Sequence, residues 1–204
     1  MSARRACSHV FFDIGGVLGT NGWDREQRAL AREQFGLEDE VEQRHQEVAS
    51  EFEVGRLDLD GYLECTVFYR DRPFTREQFA DFMRAQSIPD HEAIALARQL
   101  AARTDLALMT MNNESEALNL HRIHLFELRD IFCAFLSSCW LGERKPTLRY
   151  FHRVLALTQV EPSRSVFIDD RSQNLEPARR LGMDTIFFRD AAQLQRELEQ
   201  RSLL

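Results

Sequence analysis

The spacing of hydrophobic residues changes character along the chain. His9–Phe12 is a short apolar run followed by glycines, which is typical of a buried strand. Between about residues 23 and 86 the apolar residues instead recur every three or four positions, which predicts about four amphipathic helices and no strand. Asp24, Asp58 and Thr75 stand where the N-caps of three of these helices are expected.

Beyond this block, short apolar runs alternate with amphipathic segments. One further helix is predicted over residues 91–103. Strands are predicted at residues 105–111, 131–138, 165–170 and 184–188. Helices are predicted at residues 113–126, 146–158, 173–182 and 191–200. Pro146 suits the first position of its helix, and Gly182 suits the end of the next one.

Strands and helices that alternate in this way, with nearly continuous apolar strands, predict parallel pairing and a sheet covered on both faces. We therefore expect an α/β fold, a doubly wound parallel sheet of about five strands. The block of helices is inserted after the first strand.

Length, composition and charge narrow the class of protein. A chain of 204 residues with 44% hydrophobic positions can form one core plus an inserted unit. No apolar run approaches the roughly 18 residues needed to span a bilayer, and the start has no apolar leader, so we expect a cytoplasmic protein without a membrane partner. The formal net charge of -7 disfavours nucleic-acid binding. The four cysteines form no CxxC pair and are expected to be reduced packing residues.

Polar residues follow the predicted strands. Asp13 ends the first strand, Asn112–Asn113 end the second, Lys145 follows the third, and Asp169 and Asp170 end the next. Ligands of doubly wound sheets bind at these carboxyl ends, so the residues are expected to converge. Three buried carboxylates would repel one another without a cation, and oxygen ligands suit Mg²⁺. Lys145 is also the single lysine among 26 lysine and arginine residues, which makes it a candidate site residue.

The segments FFDIGGVL, GERKP and VFIDDRSQN, with a polar motif after the second strand, occur in the order of the four motifs of the haloacid dehalogenase (HAD) superfamily. The chain resembles the phosphatase-like branch with a helical cap after the first motif, over Val10 to about Phe188. The resemblance implies a core of residues 1–18 and 90–204 and a cap of residues 19–89.

The resemblance also implies a mechanism. Asp13 would attack a phosphoryl group and form an aspartyl-phosphate that water then hydrolyses. Mg²⁺ would be held by the Asp13 carboxylate, the main-chain carbonyl of Gly15 and Asp170, with Asp169 acting through water. The substrate would be a small phosphorylated metabolite, and the protein either a monomer or a homodimer.

The remaining motif residues would hold the phosphate. Lys145 would bridge Asp13 and the transferred group, and Gly15, Asn112 and Asn113 would contact the phosphate. Asn174 would contact these site residues without touching the phosphate itself. We expect substrate specificity to come from the cap, whose polar and aromatic candidates are Trp23, His45, Arg56 and Tyr69.

The second motif allows two registers. The family has Ser or Thr followed by Asn, and MTMNNES offers Thr110 inside the apolar run or Asn112–Asn113 at its end. We favour Asn112 as the residue that donates a hydrogen bond to the phosphate, because a side-chain amide can donate one where a hydroxyl would.

The chain departs from the family pattern at Gly15. Phosphatases of this family commonly have a second Asp two positions after the nucleophile, which protonates the leaving group and later activates water. Losing a general acid typically costs about 10²–10⁴ in rate. Three alternatives follow: a phosphohydrolase restricted to good leaving groups or helped by a cap residue, an impaired scaffold with a binding or regulatory role, and a hydrolase acting at carbon.

Overall fold

The structure is a computed structural model that describes residues 7–204. Residues 1–6 lie outside the described residues. The expectation that the start is not a leader segment, and part of the predicted core of residues 1–18, fall on them. Within residues 7–204 the chain forms one sheet of five parallel strands in the order β3-β2-β1-β4-β5. The strands are β1 His9–Phe12, β2 Ala107–Thr110, β3 Ala134–Phe135, β4 Ser165–Asp169 and β5 Asp184–Phe187. The predicted fold class is therefore confirmed.

The described part of the chain also contains ten α-helices. They are α1 Arg25–Phe35, α2 Glu40–Glu53, α3 Leu59–Thr66, α4 Arg76–Ala85, α5 His91–Ala101, α6 Glu116–Leu125, α7 Ser138–Leu141, α8 Leu148–Thr158, α9 Ser172–Arg180 and α10 Ala191–Gln200. The predicted caps are found: Asp24 precedes α1, Asp58 accepts a hydrogen bond from Gly61 N, and Thr75 accepts one from Gln78 N.

The apolar strands are buried because helices cover both faces of the sheet. Val10 and Phe12 point to one face, where they pack with residues of α5 and α10. Phe11 points to the other face and packs against Phe151 and Phe167. Each such side chain contributes roughly 1.5–3 kcal/mol of burial free energy, so this core holds the strand ends in a fixed register.

That register places the acidic residues side by side. Phe12 pairs with Thr110 on β2 and with Ile168 on β4. Asp13 follows Phe12, as Asp169 follows Ile168, and Asp13 N donates to Ile168 O at 2.9 Å. The carboxyl ends of the neighbouring strands β1 and β4 therefore bring both aspartates to one edge.

Three local predictions were wrong in detail. β3 has only two residues, and the short helix α7 begins at Ser138, within the predicted strand. Pro146 lies before the N-cap of α8, Thr147, rather than at the first helical position. Cys65 and Cys133 are exposed, so packing explains only part of the cysteine content.

Helices α1 to α4 pack around a cluster of their own that includes Phe52, Tyr62 and Phe79. The chain enters and leaves this block side by side: Thr20 N donates to Ile88 O, and Asp90 N donates to Leu18 O, each at 2.9 Å. On these contacts we propose residues 19–89 as a cap on the α/β core. Among residues 7–204, no helix has the length and apolar character that crossing a membrane requires.

Candidate active site

Lys145 lies at the centre of the site. Its Nζ atom is 2.9 Å from Asp13 Oδ2, 2.7 Å from Asp169 Oδ2 and 2.7 Å from Met111 O, and the residue is only 2% exposed. Burial disfavours the charged amine, but the attraction of the two aspartates outweighs it and raises the pKa of Lys145. The ammonium group is therefore held charged between two carboxylates.

Asp13 is positioned by the end of β1. Its Oδ1 accepts a hydrogen bond from Ile14 N at 2.8 Å, and its Oδ2 faces Lys145. Burial raises the pKa of Asp13, and Lys145 opposes that effect while Asp169 and Asp170 add to it. A buried carboxyl of this kind needs further positive charge to remain ionised.

Asp169 has both carboxylate oxygens occupied by protein donors. Oδ1 accepts from Arg171 N at 2.8 Å, Oδ2 accepts from Lys145, and Asn174 Nδ2 lies 3.0 Å from each oxygen. The predicted supporting residue Asn174 thus contacts Asp169 directly. Because both of its oxygens are engaged, Asp169 orients Lys145. Asp170 is the carboxylate with more freedom to bind another group.

The acidic cluster fits a hard cation. One oxygen each of Asp13, Asp169 and Asp170 lies within 4.8 Å of the others, and Asp170 Oδ1 is buried without a hydrogen-bond partner. Gly16 has a φ of 75°, and a Cβ there would come within 2.3 Å of Asp170 Oδ2. The single ammonium of Lys145 cannot balance three carboxylates, so the donor set and the unpartnered oxygen suit Mg²⁺.

The second motif is arranged differently from the prediction. Asn112 faces away from the cavity: its Nδ2 donates to Asn119 Oδ1 at 2.9 Å, and its Oδ1 accepts from Ser137 Oγ at 2.8 Å. These buried contacts occupy the amide that was expected to bind phosphate. Thr110, the alternative register, is fully buried within β2.

Asn113 supports the lysine instead. Its Nδ2 donates to Lys145 O, and its Oδ1 accepts from Lys145 N, both at 2.9 Å. Asn113 also lines the cavity, whereas its neighbour Asn112 does not. The paired amide contacts fix the main chain of Lys145 relative to β2.

A cavity of about 330 Å³ opens above this cluster. Asp13, Gly15 and Lys145 line it from loops at the carboxyl edge of the sheet, and Trp23 and His45 line it from residues 19–89. The other two cap candidates lie elsewhere. Arg56 pairs with Glu51, and the hydroxyl of Tyr69 donates to Glu38.

A chain of hydrogen bonds orients His45. Trp23 Nε1 donates to Tyr62 Oη at 2.7 Å, and Tyr62 Oη lies 2.8 Å from His45 Nδ1. Burial, aided by the nearby positive charge of Arg28, lowers the pKa of His45 to about 4. The neutral ring therefore accepts the tyrosine hydrogen at Nδ1 and carries its own proton on Nε2, a tautomer assigned from this network.

Several cavity residues were missed in the sequence, and the two that are almost completely buried are Arg122 and Glu114. Arg122 is almost fully buried, and Glu114 Oε2 lies 3.7 Å from its Nε. A signal was present, because Arg122 lies on the same helix face as Leu118 and Ile123. An arginine within the apolar stripe of a helix indicates a buried charge, and buried charges usually have a partner or a functional role.

A model of the haloacid dehalogenase-like hydrolases matches residues 7–182, and the chain belongs to that family. Among curated proteins, bifunctional epoxide hydrolase 2 of Rattus norvegicus is 33% identical over 126 residues, which are 61% of this chain and 23% of that protein. The chain thus spans about a quarter of the length of that relative.

Two further relatives match over nearly the whole chain. Flavin mononucleotide hydrolase 1 of Arabidopsis thaliana is 30% identical and covers 97% of this chain, with 79% of its own length matched. Sesquiterpene phosphatase astK of Aspergillus oryzae is 27% identical, with 94% of each chain covered.

Solved structures confirm the fold. A HAD family enzyme of Bacteroides thetaiotaomicron, crystallised with magnesium and inorganic phosphate, superposes with a TM-score of 0.75 at 19% identity, covering 91% of this chain and 96% of its own. A HAD-like hydrolase of Porphyromonas gingivalis gives a TM-score of 0.74 at 21% identity, with 98% of both chains covered.

Proposed function

We propose that this protein is a Mg²⁺-dependent phosphohydrolase that acts on a small phosphorylated metabolite through an aspartyl-phosphate on Asp13. The observation that carries the proposal is the buried arrangement of Asp13, Lys145 and Asp169 beside the unpartnered oxygen of Asp170. An anionic substrate fits a site where a cation and a lysine would offset the acids.

In this proposal Asp13 is the nucleophile. One Asp13 oxygen forms the new bond to phosphorus, and the bond from phosphorus to the leaving oxygen breaks. Lys145 holds Asp13 in position and carries positive charge toward the phosphoryl group. Asp169 and Asn113 keep Lys145 in place through its ammonium group and its main chain, respectively.

The residues that would hold Mg²⁺ are Asp13, Asp170 and the main-chain carbonyl of Gly15, with Asp169 in contact only through water. When bound, the ion would neutralise phosphate charge and align the group for attack. Glycine at residue 15 keeps the carbonyl while supplying no side chain that could donate a proton. The phosphate would then be contacted by Lys145 and by main-chain groups near Gly15 and Asn113.

The relatives support a phosphate ester as substrate. Two of those that match nearly the whole chain are named as a phosphatase and a flavin mononucleotide hydrolase. A structural neighbour was crystallised with magnesium and phosphate. The cavity, with Trp23 and His45 on its outer wall, is of a size for a small metabolite.

The experiment is a hydrolysis assay with 4-nitrophenyl phosphate, acetyl phosphate and a panel of metabolite phosphates, with Mg²⁺ and with EDTA. Asp13→Asn is the test variant, and Asp105→Asn, which alters an exposed carboxylate paired with Arg103, is the control. We expect Mg²⁺-dependent turnover that Asp13→Asn abolishes and the control retains. Turnover that is indifferent to Mg²⁺ or to Asp13 would contradict the proposal. Absence of turnover with Mg²⁺ still stabilising the fold would favour a binding or regulatory protein.

A further inference from the structure

Arg122 places an incompletely paired guanidinium group on the cavity wall. The residue is 2% exposed, and its Nε donates to Ser87 Oγ at 3.2 Å. Its Nη2 is buried and has no hydrogen-bond partner. A buried charged donor left without an acceptor costs more than the roughly 1–3 kcal/mol of a neutral one, so the guanidinium group, which lines the cavity, favours an acceptor that enters it.

The nearest carboxylate does not satisfy this group. Within the described part of the chain, Glu114 is the one carboxylate within ion-pair distance of Arg122, and its Oε2 lies 3.7 Å from Nε. That distance is too long for a hydrogen bond. The other oxygen of Glu114 accepts from Ser115 N at 2.9 Å.

Two glycines make room for the guanidinium group. Gly22 has a φ of 66°, and a Cβ there would lie 1.5 Å from Arg122 Nη2. A Cβ on Gly15 would lie 3.3 Å from Arg122 Nη1. The guanidinium therefore occupies the space that a side chain two residues after Asp13 would enter.

The other arginines of the cavity are already paired. Among the described residues that line it, each of the remaining three has a carboxylate within hydrogen-bond distance: Arg28 with Glu42, Arg144 with Glu53 and Arg171 with Asp24. Arg122 differs from them in both its burial and its unpartnered Nη2. It is the arginine best able to bind a substrate oxygen.

We propose that Arg122 binds the leaving-group oxygen of the phosphate ester and stabilises the negative charge that develops there. This inference rests on the proposed phosphohydrolase function. Lys145 already serves the nucleophile, and in an in-line displacement the attacking and leaving oxygens lie on opposite sides of phosphorus. A second cation that is not paired with the Asp13 cluster suits the leaving side.

The proposed step needs no proton donor in the protein. Asp13 forms its bond to phosphorus, and the leaving oxygen departs with the electron pair of the broken bond. Arg122 keeps its own proton and holds the anion until the oxygen takes a proton from water. A second water then attacks phosphorus, its proton passes to solvent, and the Asp13 carboxylate is released.

The test compares 4-nitrophenyl, phenyl and benzyl phosphate, whose leaving groups become progressively less acidic. For Arg122→Gln we expect kcat/KM to fall about 10²-fold for benzyl phosphate, the usual effect of removing one such donor, and by about 10-fold or less for 4-nitrophenyl phosphate. Arg122→Lys, which keeps the charge, should lie between Arg122→Gln and the wild type. Arg98→Gln removes an exposed arginine paired with Glu127 outside the cavity and should leave all three values unchanged.

Equal losses for all three substrates would overturn the inference, because a structural role alone would produce them. If Arg122→Gln shows no cooperative thermal transition, the inference is tested with the wild type and Arg122→Lys instead. In that case the dependence of kcat/KM on the acidity of the leaving group is measured for the wild type. A dependence as steep as that of the reaction in water would overturn the inference. Failure of the wild type to hydrolyse any of the three with Mg²⁺ would instead remove the proposed function, and the inference with it.

Discussion

The Nζ atom of Lys145 lies 2.9 Å from Oδ2 of Asp13, and both residues are almost completely buried. Asp169 contacts the same ammonium group at 2.7 Å. The lysine therefore links the ends of β1 and β4 electrostatically as well as serving the proposed chemistry. We therefore expect the charge of Lys145 to stabilise the fold as well as to act in the proposed reaction.

Replacement of Lys145 by methionine tests this dual role. We expect Lys145→Met to lower the free energy of unfolding by about 3–5 kcal/mol, because the change leaves Asp13 and Asp169 buried without their counter-charge. Urea denaturation at neutral pH measures the change. Arg98→Met, which breaks an exposed ion pair, should cost about 1 kcal/mol or less. A Lys145→Met loss as small as that of the control would show that the ammonium group does not stabilise the buried ends of β1 and β4.

Mg²⁺ binding has a readout that does not depend on turnover. A ligand present at 100 times its dissociation constant stabilises a fold by about 2.7 kcal/mol, so saturating Mg²⁺ should raise the Tm of the wild type. Asp170→Asn should lose most of this increase, because Asp170 Oδ1 is a buried carboxylate oxygen without a protein partner. Asp105→Asn should keep it. An undiminished increase in Asp170→Asn would place the metal elsewhere.

His45 should make stability depend on pH. Burial lowers its pKa to about 4 in the folded protein, against about 6.5 when unfolded. Between these values the unfolded state binds more protons, so stability falls as pH decreases from about 6.5 to 4. Because the ring is partly exposed, we expect His45 to account for about 1–2 kcal/mol of the loss between pH 7.5 and pH 5.

Urea unfolding at the two pH values measures that loss. In His45→Gln it should be smaller by the stated amount, whereas His91→Gln, which changes an exposed histidine, should behave like the wild type. An equal loss in wild type and His45→Gln would mean that His45 is not held neutral by the cap.

Much of the fold could be predicted, because apolar runs such as Val10–Phe12 can be buried only in a covered sheet. The convergence of Asp13, Asp169 and Asp170 followed from the ends of β1 and β4, whereas Lys145 lies beyond α7 and was assigned to the site by its motif. The orientation of Asn112 could not, because Asn119 and Ser137, distant in sequence, determine it. The position of Arg122 likewise depends on the space left by Gly15 and Gly22, about one hundred residues earlier in the chain.

The effect of the absent proton donor can be tested by placing an aspartate at residue 15, both in the wild type and in Arg122→Gln. An aspartate at residue 15 would lie next to Arg122, since even its Cβ would be 3.3 Å from Nη1. We expect Gly15→Asp alone to give no gain in benzyl phosphate hydrolysis, because the two side chains would pair. In the Arg122→Gln background the same change should raise kcat/KM by about 10-fold or more, within the range of general acid catalysis.

The four proteins form a double-mutant cycle, and kcat/KM for benzyl phosphate is the measured quantity. The cycle should show a strong interaction between residues 15 and 122. If Gly15→Asp changes the rate by the same factor in both backgrounds, the two positions act independently, and Arg122 does not take the place of the missing acid.

The proposed function depends on the transfer of phosphate to Asp13. The most direct measurement is to mix the protein with Mg²⁺ and acetyl phosphate, reduce it with borohydride, and examine the peptide containing residue 13 by mass spectrometry. Borohydride reduces an acyl phosphate on aspartate to homoserine, so we predict homoserine at residue 13 in the wild type and none in Asp13→Asn. Continued Mg²⁺-dependent hydrolysis with residue 13 unmodified, or reduction at another carboxylate, would contradict phosphate transfer to Asp13.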